Sequence, residues 1–411
     1  MTEQLQHLNL RNFMGFNNLT LDFSPKINVL IGENGTGKTH LLKAAYGLCA
    51  GAPLFKNKPD TGDDELEAAL TAKLLRLFMP LDDKLGKMHR QGATDQAYLS
   101  AKFAGGQKIA ATFFNNSKAL AVQDRANYEQ YQAEAVFIPT KEVLSLVKGM
   151  TDNAHDHKTV ELIFDDGYVD LANAMMKSGH EDTETLVNLD PRLNTIIPQL
   201  VSLIGGRYQW ENGGFCFQAG KYVEKASPKR TKAKDAQMYQ DSTVTEFVPT
   251  SGHLYSSGMT AEGFRKVGIL HRLLSNGTIS PGSSGPLFWD EPESNMNPKL
   301  MKLLVQILLE LSRNGGPGTT TSVFMRGADT RFTAVYVDGV RIDSQAGSGG
   351  ASWEGLPLGQ IERIEVLRGP AAAIYGSDAL AGVVQIFTKK GEQGRSEERR
   401  VGKECLRLCR S

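Results

Sequence analysis

Cysteine is scarce. The four in 411 residues, Cys49, Cys216, Cys405 and Cys409, lack both the number of a disulfide framework and the paired spacing of a zinc site. That usage fits a reducing compartment. Long apolar runs are also missing: the greasiest helical stretch, Leu300 to Leu311, is broken by Lys302, Gln306 and Glu310 and is too short to span a bilayer. The opening Met1-Thr2-Glu3-Gln4-Leu5-Gln6 has none of the basic-then-apolar order of a secretory signal, so the expected location is cytoplasmic. Net charge is absent too. Lys+Arg and Asp+Glu stand at 46 each, and bulk charge therefore argues for neither a nucleic-acid nor a membrane partner. What remains is ordinary for a soluble α/β chain: 40% hydrophobic residues, 42 glycines, and a length that suits two or three domains of about 150 residues.

The first distinctive stretch is Gly32-Glu33-Asn34-Gly35-Thr36-Gly37-Lys38-Thr39, which fits G-x-x-x-x-G-K-[ST]. By residue frequencies alone the pattern turns up in roughly one or two chains per hundred of this length. Its surroundings narrow that further. The almost wholly apolar run Ile27-Asn28-Val29-Leu30-Ile31 predicts a parallel strand buried on both faces, and Leu41 to Leu48 predicts a helix. Glycines between a strand and a helix N-terminus let backbone N–H groups point at phosphate oxygens. Lys38 would neutralise the β- and γ-phosphates, and Thr39 would hold Mg2+.

Upstream, Leu5 to Leu10 and Leu19 to Phe23 alternate like strands. Downstream, Leu66, Leu70, Leu74, Leu75, Leu77 and Phe78 make a helical stripe, and β-like runs follow at 98 to 122, which together read as an insertion. Val136 to Leu144 offers a short buried strand with a proline stop, whose polar residues either face a nucleotide or make a plain strand-to-helix turn. His155-Asp156-His157 has no third ligand nearby and reads as a solvated helix start rather than a metal site. Arg207 to Phe217, with Gly213-Gly214 inside, reads as a hairpin. The cluster Lys225, Lys229, Arg230, Lys232 and Lys234 reads as a solvated loop, with contact to a phosphate backbone as the alternative.

A helix is expected from about Ala261, with Phe264, Val267, Ile269, Leu270, Leu273 and Leu274 apolar. Leu287-Phe288-Trp289-Asp290-Glu291 then gives a buried strand ending in two carboxylates. Such a pair can be a helix cap; beside a phosphate loop it reads as a Walker B end. Asp290 would hold the Mg2+ shell, and Glu291 would orient and deprotonate the attacking water.

Leu8-Asn9-Leu10-Arg11-Asn12-Phe13, Gly15-Phe16, Leu21-Asp22-Phe23 and the phosphate loop together resemble the opening of RecF/SMC-type ATPases, ABC-like P-loop enzymes of the broad AAA family. The resemblance covers residues 1 to 313. It implies an ABC/SMC-like α/β P-loop NTPase domain with helical and β insertions at about 55–245. It also implies binding and hydrolysis of ATP with Mg2+, and an ATP-dependent homodimer. Lys38 and Glu291 would then be catalytic, Gly32 to Thr39 would cradle the nucleotide, and Thr39 with Asp290 would hold the metal. A signature motif completing the partner's site is matched best by Thr260 to Lys266, with Glu262 and Gly263 at the helix start; Ser256-Ser257-Gly258 is a second register. Pro292 to Pro298 resembles the D-loop. Relatives of this type serve DNA repair or phage defence, often with a nuclease partner and DNA.

That family next needs a strand ending in a histidine that senses the γ-phosphate. Here Asn314-Gly315-Gly316-Pro317-Gly318 follows instead, and no histidine occurs after His271. Ser322 to Asp329, Val335 to Arg341, Ile361 to Pro370 and Ala373 to Ile386 resemble the plug domain of TonB-dependent outer-membrane receptors, especially cobalamin-type ones. As amphipathic segments joined by glycine turns they predict a small mixed sheet. A plug implies a barrel of roughly 22 strands, which is not encoded here. Arg395 to Cys405 resembles the conceptual translation of a sequencing-library adapter.

The expected organisation is an ATPase domain at 1–313 truncated at its end, an artificial junction at 314–317, a small α+β plug-like fragment at 318–391 and a disordered adapter-like tail at 392–411. The expected function is ATP binding, with hydrolysis in the intact parent. The alternatives are a receptor plug fragment for cobalamin or siderophore uptake, and an assembly chimera with no function as a whole.

Overall fold

The computed structural model describes residues 4–55, 62–151, 160, 163–178, 192–211, 213–224, 245–280, 285–311, 333–344, 350–351, 361–368 and 382–389. The chain divides into two compact units, Met1–Gly315 and Gly316–Ser411. Among the described residues no helix is long and apolar enough to cross a membrane.

In the first unit, β1 (Leu5–Phe13) and β2 (Phe16–Asp22) form an antiparallel hairpin whose tight turn puts Asn12 and Met14 at positive φ. β3 (Ala97–Phe103) pairs with the other edge of β1, and β4 (Lys108–Phe113) and β5 (Ala121–Asp124) continue the sheet in the order β2-β1-β3-β4-β5. The runs at 98 to 122 are therefore built into the N-terminal sheet. The reason is register: Leu10 lies opposite Leu99, and Leu99 opposite Ala111. This keeps one face apolar across three strands.

Against that face lie α1 (Lys38–Gly51) and α2 (Asp63–Phe78), burying Leu41, Leu48, Leu66, Leu70, Leu74 and Leu77 with Phe13 and Phe113. Each such leucine contributes about 1.5–3 kcal/mol of transfer free energy. Asp63, Asp64 and Glu65 in the first turn of α2 and Arg76 in its last match the helix dipole at both ends. The close approach of α1 and α2 needs Gly51: a Cβ there would sit 2.4 Å from a Leu70 methyl.

Ile27 to Ile31 departs from expectation. It forms no strand, and Val29 and Ile31 are 58% and 43% exposed. An apolar run becomes a buried strand only when a neighbour pairs with its backbone. Among the described strands none does so.

The second core of this unit lies beyond β6 (Val136–Ile138). Successive side chains of a strand point to opposite faces, so Phe137 enters the first core while Val136 and Ile138 enter the second. Around the second core stand α3 (Val147–Thr151), α4 (Asp166–Met176), α5 (Leu193–Ile204), β7 (Gly206–Glu211), β8 (Gly214–Glu224) and β9 (Thr245–Ser256). They are followed by α6 (Glu262–Ser275), β10 (Leu287–Trp289) and α7 (Pro298–Leu311). β7, β8 and β9 form an antiparallel meander, with the expected hairpin turning at Gly213. β10 runs parallel to β6, with Phe288 opposite Phe137.

A buried ionic network joins α1, α2 and α4. Asp165 caps α4 by accepting from the N–H of Gly167, and its other oxygen accepts from Lys43 on α1 at 2.7 Å. Lys73 on α2 sits between Asp166 at 2.8 Å and Asp170 at 2.5 Å, and Tyr46 donates to Asp170 at 2.5 Å. Removing one member strands a buried charge, which is costly.

The second unit holds β11 (Thr333–Val337), β12 (Val340–Arg341), β15 (Ile361–Arg368) and β16 (Gly382–Thr388) in the order β12-β11-β16-β15, with β13 (Asp343–Ser344) and β14 (Gly350–Ala351) paired separately. β11 and β16 run parallel, while β15 runs antiparallel to β16. This is a mixed sheet, as the segment pattern predicts. Asp338 and Gly339 turn the chain at positive φ, and the Asp338 carboxylate accepts from both the N–H and the hydroxyl of Thr388. His155-Asp156-His157, the lysine cluster at 225–234, the segment 314–321, Cys405, Cys409 and the tail lie outside the described residues.

Candidate functional site

Two parallel strands and one helix end deliver the site. β10 runs into Asp290, whose N–H donates to the carbonyl of Ile138 at 2.9 Å and so extends the ladder by one residue. That bond fixes the side chain, which is 4% exposed. The Asp290 Oδ2 accepts from the Thr39 hydroxyl at 2.8 Å and from the Thr140 hydroxyl at 2.8 Å. Thr39 lies in the first turn of α1, and Thr140 follows the Pro139 that ends β6.

The loop from Gly32 to Gly37 leads into α1 through positive φ at Gly35 (81°) and Gly37 (91°). Only residues without a Cβ enter that region freely. Gly37 also faces the Phe16 ring, which would lie 2.9 Å from a Cβ. The Thr36 hydroxyl donates to the Glu33 carbonyl at 2.9 Å, and the Lys38 ammonium donates to the carbonyls of Gly32 and Glu33 at 2.8 and 2.9 Å. Gly32 to Thr36, Asn34 included, are exposed. α1 opens with no side-chain cap and no acidic residue in its first turn, so its N–H groups and dipole favour an anion.

Glu291, next to the buried aspartate, is exposed and left-handed at φ 47°. Its carbonyl accepts from the Ser294 N–H at 3.1 Å and from the Lys266 ammonium at 3.2 Å. Lys266 projects from α6, is 0% exposed, and also donates to the Ser294 hydroxyl. Glu262 and Gly263 open α6. The atoms nearest a Cβ on Gly263 would be the Asn295 carbonyl at 2.8 Å and a Leu300 methyl at 3.3 Å, so this helix end packs on the stretch after Glu291. One residue before Lys266, Arg265 pairs with Glu142 at 2.8 Å, and Glu142 accepts from the Ser145 N–H at 3.1 Å.

Burial dominates the electrostatics. It lowers the pKa of Lys266 against the opposing pull of Glu262, Glu293, Glu291 and Asp290. Burial and then the Asp165 charge raise Tyr168, with a smaller contribution from Asp290. Burial and Lys43 lower His40, the residue after Thr39.

Two hydroxyls on one carboxylate oxygen make a hard-oxygen set suited to Mg2+, which takes few protein ligands and fills its shell with water and phosphate. Among the described residues no group of three or more His, Cys, Asp and Glu could hold a metal by itself. Thr39 and Asp290 would hold such an ion, which would supply positive charge against a phosphate.

Sequence reasoning named Thr140 only as one polar residue of a run, and Lys266 only as the last residue of the signature stretch. Each left a signal. Thr140 is the first polar side chain after an apolar strand and its proline stop, and Lys266 is a charge on the buried stripe of α6 beside Val267 and Leu270.

The AAA domain family matches residues 7–73, and the TonB-dependent receptor plug domain matches residues 293–383. The plug match thus begins inside the first unit and takes in α7. Vitamin B12 transporter BtuB of Vibrio vulnificus strain CMCP6 is 49% identical over 84 residues, 20% of this chain and 14% of that protein. The same transporter of strain YJ016 is 52% identical over 80 residues, 20% of this chain and 13% of that protein. The chain therefore spans about a seventh of the length of these curated relatives. Among solved structures, an Smc head bound to the C-terminal winged-helix domain of ScpA is similar, with 13% identity over 75% of this chain and 86% of that chain and a TM-score of 0.38. RecF with ATP, of the RecFOR pathway, gives 12% identity over 76% and 91% and a TM-score of 0.35. One chain thus contains a segment that matches the AAA domain family and another that matches the TonB-dependent receptor plug domain.

Proposed function

We propose that residues 1–313 bind ATP with Mg2+ as the nucleotide-binding part of a RecF/SMC-like ATPase. The observation that carries this reading is the convergence of Thr39 and Thr140 on one oxygen of Asp290, at the end of a loop whose glycines and Lys38 suit a polyphosphate. Lys38 would exchange its two carbonyl partners for the β- and γ-phosphates, the α1 N-terminus would face the same anion, and Glu291 would orient the attacking water. In the parent enzyme, Glu262 and Gly263 would close on the nucleotide of a second copy, and DNA with a nuclease partner would be acted on in repair or phage defence.

Equilibrium binding of a fluorescent ATP analogue to the wild type and to Lys38→Ala tests the reading. A loss of affinity of about tenfold or more in the variant is expected, the scale of one lost charged phosphate contact. Equal affinities would remove the nucleotide claim.

A second reading holds for residues 318–391, favoured by the 49% identity to a vitamin B12 transporter over 84 residues. We propose that this segment derives from a receptor plug and was joined to the ATPase at 314–317, so that it adds nothing to nucleotide binding.

A further inference from the structure

We propose that Lys266 is a positioning residue that holds Glu291 in the conformation its role requires, by clamping the turn from Glu291 to Ser294 onto α6. This deepens the proposed ATPase reading and rests on it. Three observations carry it. Glu291 is left-handed at φ 47°, a conformation that crowds any residue with a Cβ. The carbonyl of this same residue accepts two donors, the Ser294 N–H at 3.1 Å and the Lys266 ammonium at 3.2 Å. The same ammonium also takes the Ser294 hydroxyl, so one cation ties both ends of a four-residue turn.

Burying a lysine completely is expensive, and the expense is offset here by those partners and by the surrounding carboxylates. A methionine of similar length would fill the space and satisfy none of these acceptors. The adjacent Arg265 holds the other flank of α6 by pairing with Glu142, two residues beyond Thr140. Consecutive cations therefore link α6 to both strand-end loops that meet at Asp290. Lys266 touches neither the phosphate loop nor the Asp290 oxygens, so its effect falls on the geometry of Glu291 and not on nucleotide affinity.

The test compares the full chain with Lys266→Met, Lys266→Arg, Glu291→Gln and Lys38→Ala. Single-turnover hydrolysis of ATP in Lys266→Met should fall about tenfold while affinity for the fluorescent analogue stays within about threefold, and Lys266→Arg should recover most of the rate. Amide exchange of the peptide spanning residues 290–297 should speed about tenfold in Lys266→Met and little in Lys266→Arg, at matched melting temperature. Wild-type rate together with unchanged exchange in Lys266→Met would overturn the proposal. If the wild type turns over no faster than Glu291→Gln, the hydrolytic part of the function fails by itself and exchange alone decides. If Lys38→Ala binds the analogue as the wild type does, the nucleotide reading fails separately.

Discussion

Thr39 and Asp290 lie 251 positions apart, and the hydroxyl of one donates to the carboxylate of the other at 2.8 Å. The contact exists because β10 lies parallel to β6 and ends one residue before Asp290, while α1 begins one residue before Thr39. Thr140 reaches the same oxygen from the end of β6. Its replacement by valine keeps the shape and removes the donor. Thr140→Val should therefore raise the Mg2+ concentration that half-saturates ATP binding by about three- to tenfold, the weight of one ordinary hydrogen bond of about 0.5–1.5 kcal/mol. A magnesium titration at fixed nucleotide checks this.

Gly37 makes a second prediction. Its φ of 91° and the Phe16 ring at 2.9 Å leave no room for a methyl group. Gly37→Ala should cost about 1–2 kcal/mol of stability through the left-handed backbone alone. Urea unfolding measures that cost, and analogue binding should weaken in parallel.

His271 sets a pH dependence. Burial, Arg207 and Arg272 push its pKa down to about 3 from 6.5. The unfolded chain takes up a proton below 6.5 that the folded chain refuses. This contribution is therefore complete above pH 6.5 and is lost as pH falls toward 3. At about 1.4 kcal/mol per unit, the loss between pH 6.5 and 5 is about 2 kcal/mol. Urea midpoints across that window should slope accordingly in the wild type, and His271→Leu should flatten the slope.

The network around Lys73 predicts a larger effect. Asp166→Leu leaves Lys73, 7% exposed, with Asp170 as its one carboxylate partner among the described residues and takes the carboxylate from Arg76. The cost should be about 3 kcal/mol, the lower end for breaking a buried pair because one partner remains. Thermal unfolding would show it.

Much of this fold was legible because local pattern and tertiary need agree. Leu66, Leu70, Leu74 and Leu77 repeat at helical spacing and lie buried on α2. Leu287 to Asp290 reads as an apolar strand with a carboxylate at its end, and stands so. Ile27 to Ile31 was misread because burial of a strand depends on a neighbour that its own residues cannot name. The pairing of β3 with β1 is equally non-local. Within the site, Gly32 to Thr39 announces itself by spacing. Thr140 and Lys266 act through contacts to residues 150 and 25 positions away, which no short motif contains.

The proposed join at 314–317 has its own test. An independent long read across the codons for Arg313 to Thr321 should find no uninterrupted natural gene. A native reading frame through those codons would contradict the chimeric origin.

The most direct test of the central claim is calorimetric titration of ATP into the wild type and Asp290→Asn, each with Mg2+ and with chelator. The account predicts that Mg2+ tightens wild-type binding by about tenfold or more and that Asp290→Asn loses most of that gain while keeping its magnesium-free affinity. A wild type indifferent to magnesium, or an Asp290→Asn chain with the full magnesium response, would contradict it.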